Sequence, residues 1–416
     1  MKHLVIGFLA LLTCLCFYFV QKDKFSRKPI IWIVYSGALG LSIYLFCSNA
    51  FTTFTNPPIW DFSAFYLWGK AAHAGYDVYS PENLSIVFKS LNLPPLDYKE
   101  FVGEIVNVGF FYPPQSILYF APLGYFSYYT AFTIWAIFNL VFALCCIYLI
   151  YDHLFKSYKL NGLILVSTLF MLYPPVRLTI IFSQTNFILL FYLLMIGKYS
   201  DKKFSGIFLA LAVFTKPYMI ILGVFFLLKK NWGAIIYSAL SVLAISGLTL
   251  LFFGQSIFLN YLSENPARRM PPALFSEGIN QSLHAVLLRA KLITLNNPSL
   301  YTYIALAILL LTGIYLYFLM KRRLYNYILP VLLLIGLLIY PGTLSYYAVL
   351  LLFIIFQFYN ERAGLGFRSF WGPSLIVGGV FLLSSFSVFL CICFLLLVLV
   401  LKSFNRTTSM TAAIAV

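Results

Sequence analysis

The chain has 416 residues, 62% of them hydrophobic and 10% charged, and a formal net charge of +16, with a mean hydropathy of +0.91. Soluble domains run at about 45–50% apolar and about 25% charged residues, so a water-soluble protein of this size is excluded. Apolar runs of about 20 residues that recur along the chain point instead to an all-α polytopic membrane protein. The bases are scattered between those runs, which excludes a nucleic-acid binder, and the runs do not alternate in polarity, which excludes a transmembrane β-barrel.

The first apolar run, Leu4 to Val20, has one lysine before it and Gln21-Lys22-Asp23-Lys24 after it, without a small-x-small cleavage pattern. It is read as a retained span rather than a leader. Lys22, Lys24, Arg27 and Lys28 mark a cytoplasmic loop, so the N-terminus is expected outside. The second span, Ile30 to Ala50, then delivers residues 51–127 to the outer face. There Asp61, Asp77, Glu82, Asp97, Glu100 and Glu104 stand against Lys70, Lys89 and Lys99. Asp61 to Ala72 reads as an amphipathic helix stopped at Gly75, the plainer alternative being an interfacial helix with its aromatics resting on lipid. Ile117 to Leu123, interrupted by Pro122, is too short to span and is expected to lie along the outer leaflet or dip into it.

Further inside clusters follow at Lys156/Lys159, Lys198/Lys202/Lys203, Lys229/Lys230, Lys321/Arg322/Arg323, Arg362/Arg368 and Lys402/Arg406. The segment 204–228 carries such charges at both ends, so a single crossing gives the wrong parity. Lys216-Pro217 sits at its middle, and a break there into two half-helices keeps the parity and leaves Lys216 near the outer side. Residues 372–401 pose the same problem, with Ser384-Ser385 as the expected turn. The reading is about 11 to 13 spans, a first outer loop at 51–127 and a second outer segment at 255–296. It divides the chain into an N-terminal helix and cytoplasmic loop (1–29), a membrane domain (30–360) and C-terminal segments (361–416). Cys14, Cys16, Cys47, Cys145, Cys146, Cys391 and Cys393 all fall in apolar runs, where they pack rather than form disulfides or a zinc site. No His, Asp or Glu cluster has ligand spacing, so neither metal nor cofactor is expected.

Polar groups crowd at one water-facing surface instead of at the midplane of two related halves, which favours an enzyme over a transporter. Trp60, Phe62, Phe65, Tyr66 and Trp68 surround Asp61 in sequence, a shell that desolvates a carboxylate and raises its proton affinity. Such a group suits a general base that deprotonates an alcohol; the plainer alternative is a solvated carboxylate at a membrane edge. Lys216, at a break in an apolar segment, is costly without a partner, the plainer alternative being snorkelling to headgroups.

An ordered set of short motifs runs through the chain. It begins with Trp60-Asp61-Phe62, Phe65-Tyr66, Gly69-Lys70-Ala71-Ala72 and Gly75-Tyr76-Asp77-Val78-Tyr79, and continues with Phe111-Tyr112-Pro113-Pro114, Phe120-Ala121-Pro122-Leu123 and Trp135 with Phe138-Asn139-Leu140. Tyr173-Pro174-Pro175, Ser183-Gln184-Thr185-Asn186, Lys216-Pro217 before Lys229-Lys230-Asn231-Trp232, and Asn280-Gln281-Ser282-Leu283 with Arg289 complete it. Across roughly residues 30–360 this set resembles glycosyltransferase family 87. The resemblance implies a GT-C-type fold in the plasma membrane with its active site on the extracytoplasmic face. It implies transfer of a hexose, typically mannose, from a polyprenyl-phosphate sugar to a lipid-linked or envelope glycan acceptor, with inversion. In that chemistry Asp61 is the base. Lys216, Arg289, Arg177, Arg268 and Arg269 are the cations available to the donor phosphate. Gln184, Asn186, Asn280, Gln281, Tyr66, Tyr112 and Tyr346 are the groups available to sugar or acceptor. For the amides the plainer alternative is helix-to-helix hydrogen bonding.

The family often carries a Pro-x-Ser-Trp-x-His pattern near the end of the match. Here Pro341-Gly342-Thr343-Leu344-Ser345-Tyr346-Tyr347 puts tyrosine where histidine is expected. That leaves open a GT-C enzyme for another sugar, an inactive homologue, or a lipid-linked-sugar flippase.

Overall fold

The computed structural model describes residues 2–21, 28–55, 61–91, 106, 109–264, 277–363 and 367–414. Lys22, Lys24, Arg27, Asp97, Glu100 and Glu104 of the expected loops lie outside the described residues. Among those described the chain is helical, its only β geometry being the isolated bridges Asn280↔Leu344 and Thr294↔Asn297. In chain order the helices are α1 (Lys2–Val20), α2 (Pro29–Thr55), α3 (Asp61–His73), α4 (Pro81–Ser90), α5 (Ile117–Phe120), α6 (Tyr128–Ile150), α7 (Lys159–Leu172), α8 (Pro174–Ile181), α9 (Asn186–Lys198), α10 (Ser205–Thr215), α11 (Gly223–Leu228), α12 (Trp232–Phe253), α13 (Ser256–Glu264), α14 (Leu283–Arg289), α15 (Ser299–Lys321), α16 (Ile328–Ile339), α17 (Leu351–Ala363), α18 (Phe367–Phe386) and α19 (Val388–Ile414). Proline opens α2, α4 and α8, where its fixed φ suits a first turn and its missing N–H costs nothing.

Four stretches are long and apolar enough to cross a membrane: α2, Tyr128–Leu172 with its internal turn, α12 and α15. Leu240, Leu243, Leu251, Leu306, Leu310 and Ile314 stand exposed on α12 and α15, a lipid-facing surface rather than a soluble one. Shorter apolar helices fill the interior. The chain is thus an all-α polytopic membrane protein, as its composition requires.

The parity problem at 204–228 is solved by the expected break. The residue before a proline is pushed out of the helical region, and Lys216 is extended at φ −149°, ψ 110°. α10 stops there, and a 3₁₀ stretch, Pro217–Leu222, leads into α11. The two arms form a hairpin, because their far ends meet: Lys229 pairs with Asp201 at 2.6 Å and Asn231 donates to the Ser200 carbonyl at 3.0 Å. The second problem segment is also a hairpin, since the faces of α18 and α19 meet where Gly379 approaches Phe394. Its turn lies at Ser387, not at Ser384-Ser385. Both of those serines lie within α18, where their hydroxyls donate to the Phe381 carbonyl of the preceding turn.

The two ends of the bundle differ. Lys156 and Lys198 both pair with Asp152, Lys402 lies over the Phe358 ring, and Gln357 donates to Asn326. With the Lys229–Asp201 bridge, these collect the basic clusters at one end. The apex of the α10–α11 hairpin and the α3 region occupy the other.

α3 is not the lipid-resting helix its pattern suggested. Phe62, Phe65, Tyr66, Leu67 and Trp68 are all buried, because the segment Pro114–Tyr125 lies across its outer face. Phe65 stacks on Phe120 at 4.5 Å, Phe62 meets Phe132 edge-on at 5.0 Å, and Lys70 donates to the Gly124 carbonyl at 2.7 Å. The crossing is a backbone contact: a Cβ on Gly69 would overlap the Phe120 carbonyl, and one on Gly124 would overlap the Gly69 carbonyl. Gly75, at φ 77°, ends the helix with a Schellman pair, Tyr76 N–H to Ala71 and Gly75 N–H to Ala72. Gly69→Ala is therefore expected to destabilise the protein by about 1–3 kcal/mol through overpacking. Gly37→Ala, where nothing lies within 4 Å, is expected to be neutral or stabilising. Thermal unfolding in detergent compares them.

Candidate active site

The hairpin apex delivers Lys216 to the end of the bundle that carries α3. Its side chain is 3% exposed and donates to two phenol oxygens, Tyr112 at 2.8 Å and Tyr347 at 2.6 Å. Both rings also face the ammonium, at 4.8 and 4.6 Å from their centroids. Among the described residues no carboxylate lies within ion-pair distance of it. Tyr112 is anchored by Tyr79, whose hydroxyl donates to the Tyr112 carbonyl at 2.9 Å. Burial first, and the Asp61 charge second, push the Tyr112 phenol well above the ordinary tyrosine range. A neutral phenol solvates the lysine without neutralising it. The arrangement is a buried lysine held by two phenols and by no carboxylate among the described residues.

Asp61 begins α3, beyond the spans, and is half-buried. The Gln184 amide lies within hydrogen-bond reach of its carboxylate, and Lys216 is near enough to act on it. Burial pushes its pKa up to about 6, with the Gln184 hydrogen bond and the Lys216 charge pulling the other way. Tyr112 and Tyr346 both feel the Asp61 charge, so carboxylate, lysine and tyrosines form one cluster.

The third wall is the turn between α8 and α9. Trp135 donates to the Ser183 carbonyl at 2.7 Å and helps hold a turn in which Ser183 takes a left-handed φ of 50°. Gln184, Thr185 and Asn186 are all buried there, yet Gln184 Oε1, Thr185 Oγ1 and Asn186 Oδ1 have no hydrogen-bond partner among the described residues. Unfilled buried polar atoms are costly, and Gln184 brings this turn against the Asp61 carboxylate. Asn186 spends its amide N–H on the Tyr346 carbonyl at 3.3 Å and on Thr179. A mainly apolar crevice, lined by Phe46, Phe54, Ala136, Leu140, Ile180 and Phe187, runs to Ser183 beside Gln184.

The cluster thus gathers Asp61, Lys216, Tyr112, Gln184, Asn186 and Tyr346. Other sequence candidates stand elsewhere. Tyr66 donates to the Phe126 carbonyl at 3.1 Å and serves the α3 packing. Arg177 is exposed on α8. Arg289 is engaged with the Glu277 and Asn280 carbonyls at 2.8 and 2.7 Å. Asn280 and Ser282 both donate to Pro341, and Gln281 bonds the Thr343 carbonyl through its backbone and Ser387 through its side chain. Asn280, Gln281 and Ser282 clasp the loop 341–345 that leads into Tyr346 and Tyr347, and Arg289 braces the 277–280 turn behind them. Arg268, Arg269 and Trp60 lie outside the described residues. Tyr347 is the site residue that sequence reading missed. The signal for it is the aromatic doublet Tyr346-Tyr347.

Fold and site together define a polytopic helical membrane protein with a desolvated carboxylate, a buried lysine and buried amides at one end of its bundle. Residues 110–344, more than half of the chain, match glycosyltransferase family 87. The chain belongs to that family and is a membrane glycosyltransferase. The matched stretch holds Tyr112, Gln184, Asn186 and Lys216, and leaves Asp61 and Tyr346 beyond its ends. None of the curated proteins and none of the solved structures matches the chain.

Proposed function

We propose that the protein transfers a hexose, with mannose as the first candidate, from a polyprenyl-phosphate sugar to a lipid-linked or envelope glycan acceptor, in a GT-C-type active site on the outer face of the plasma membrane. One observation carries the reading: a half-buried carboxylate, Asp61, shares a cluster with a buried lysine that has no carboxylate partner among the described residues. A reaction that takes a proton from an alcohol and expels a phosphate needs that pair. The acceptor hydroxyl gives its proton to Asp61 while its oxygen bonds to the anomeric carbon. The bond from that carbon to the phosphate oxygen breaks on the opposite face, with inversion, and polyprenyl phosphate leaves. Lys216, already desolvated, stabilises the charge that grows on the departing phosphate. Gln184, Thr185 and Asn186 offer acceptor oxygens to sugar hydroxyls. Basic clusters at the opposite end of the bundle favour a cytoplasmic position for that end and an outward one for the site.

The test is radiolabelled transfer by the purified chain, with an extract of the native membrane as acceptor source. Transfer is expected from polyprenyl-phosphate mannose and not from GDP-mannose. Efficient use of GDP-mannose without a carrier lipid overturns the donor assignment, and transfer from polyprenyl-phosphate glucose alone replaces the sugar.

A further inference from the structure

A second recess lies at the far end of α3, about 18 Å along the helix from Asp61 at 1.5 Å per residue. It encloses about 420 Å³ between the α3–α4 connection and the α12–α13 junction, within the range of about 300–1,000 Å³ typical of ligand pockets. Unlike the crevice near Gln184, it is rich in polar groups: Asp77, Asn83, Ser256 and Asn260 line it, with Tyr76 at its side.

These groups are set before any ligand arrives. Asp77 Oδ1 accepts from the Tyr79 N–H at 3.0 Å and Oδ2 from the Asn260 amide at 2.7 Å. A carboxylate has about four acceptor positions, so Asp77 keeps further capacity in a fixed orientation. Ser80 caps α4 by accepting from the Asn83 N–H at 3.2 Å, which fixes the Asn83 backbone, while its side-chain amide bonds to no described residue. The Tyr76 ring is 40% exposed.

The composition selects the ligand class. Among the described residues no lysine, arginine or histidine lines the recess, and the Asp77 carboxylate repels a phosphate or anionic headgroup there. One carboxylate among neutral groups falls short of the oxygen set that calcium takes. Carboxylate, amides, hydroxyl and an aromatic face are together complementary to vicinal sugar hydroxyls and to the C–H face of a pyranose. We propose that this recess is a carbohydrate subsite, which binds a hexose unit of the glycan acceptor several units from the hydroxyl that reacts at Asp61. The assignment to the acceptor rests on the glycosyl-transfer reading above; the binding of sugar does not.

The experiment measures binding, not turnover, with the full chain in a detergent that carries no sugar headgroup. The probes are α-mannotriose, maltotriose and triacetylchitotriose, followed by saturation-transfer NMR and titration. At least one is expected to bind. Asn83→Ala, which breaks no internal side-chain hydrogen bond among the described residues, is expected to weaken it about fivefold, and Asp77→Asn about tenfold or more. Asp201→Asn, at the opposite end of the bundle, is expected to bind as the unaltered chain does. The proposal is overturned if none of the trisaccharides binds, or if Asn83→Ala and Asp77→Asn both bind them with unchanged affinity. Inorganic phosphate competing for the same recess also overturns it. No donor lipid is present, so failure of the donor assignment leaves this result readable.

Discussion

Asp61→Asn is expected to lower the rate of sugar transfer by about 10²–10⁴-fold, the range lost when a general base is removed, while donor binding persists. The amide keeps the shape of the carboxyl and its contact with Gln184 but takes no proton. The unaltered enzyme is expected to lose activity as pH falls through about 6, the value to which burial pushes this carboxyl, and Asp61→Asn should lose that limb of the profile. Stability is expected to move the other way. The folded-state pKa is raised above its ordinary 3.8, so the folded chain binds the proton more tightly than the unfolded chain does. Asp61 therefore subtracts nothing below about pH 4, and stability falls between about pH 4 and 6 as the unfolded form ionises first. Above pH 6 the full cost of about 1–3 kcal/mol is in place. Asp61→Asn should then unfold at a higher temperature than the unaltered chain at pH 7, and at the same temperature near pH 3. Asp201→Asn, which breaks an exposed pair with Lys229 at the opposite end, serves as control and should transfer sugar within a few-fold of normal. If Asp61→Asn keeps more than about a tenth of the rate, Asp61 is not the base.

What was legible in the sequence follows from which forces act locally. Lys216-Pro217 announced its break because the steric clash before proline is a two-residue effect, and parity of charge then demanded a hairpin. Composition gave the membrane class for a similar reason, since hydropathy sums over the chain without knowledge of contacts. The burial of α3 was not legible. Its aromatics and small residues fit a lipid-facing helix equally well, and only the Gly69–Gly124 backbone crossing, between residues 55 apart in sequence, decides that protein covers it. The turn at Ser387 was misplaced by a few residues because Ser384 and Ser385 satisfy themselves on the Phe381 carbonyl, which removes their pull toward a turn. Asn280, Gln281 and Arg289 look like ligand-binding groups by type, and only the fold reveals the loop that Asn280 and Gln281 clasp and the turn that Arg289 braces. Asp61 and Lys216 were legible singly, as charges in apolar surroundings, but their meeting across Tyr112 and Gln184 is tertiary information. The same division explains the distal recess, where Asp77 and Asn260 meet across 183 residues of sequence.

Lys216→Met separates catalytic purpose from structural need most cleanly. A buried cation solvated by two phenols and by no carboxylate among the described residues does not hold a fold together, since desolvating a charge costs more than neutral hydrogen bonds return. Methionine has similar length, is flexible, and fills irregular apolar space. The variant is therefore expected to be at least as stable as the unaltered chain, although the Tyr112 and Tyr347 hydroxyls each lose a donor worth about 1 kcal/mol. Sugar transfer, by contrast, should fall by about 10²–10³-fold, the cost of removing one preorganised group that stabilises developing negative charge. The loss should fall on kcat more than on KM, because the charge on the phosphate grows as the bond to the sugar breaks. Inhibition by the product, polyprenyl phosphate, should weaken in parallel, since the departing phosphate carries the charge that Lys216 holds. Tyr347→Phe is the companion measurement: it removes one hydroxyl from the lysine and keeps the ring, and should cost far less than the loss of the cation. A Lys216→Met enzyme that unfolds in detergent would mark the lysine as structural. One that folds and keeps more than about a tenth of its rate would move the phosphate site elsewhere.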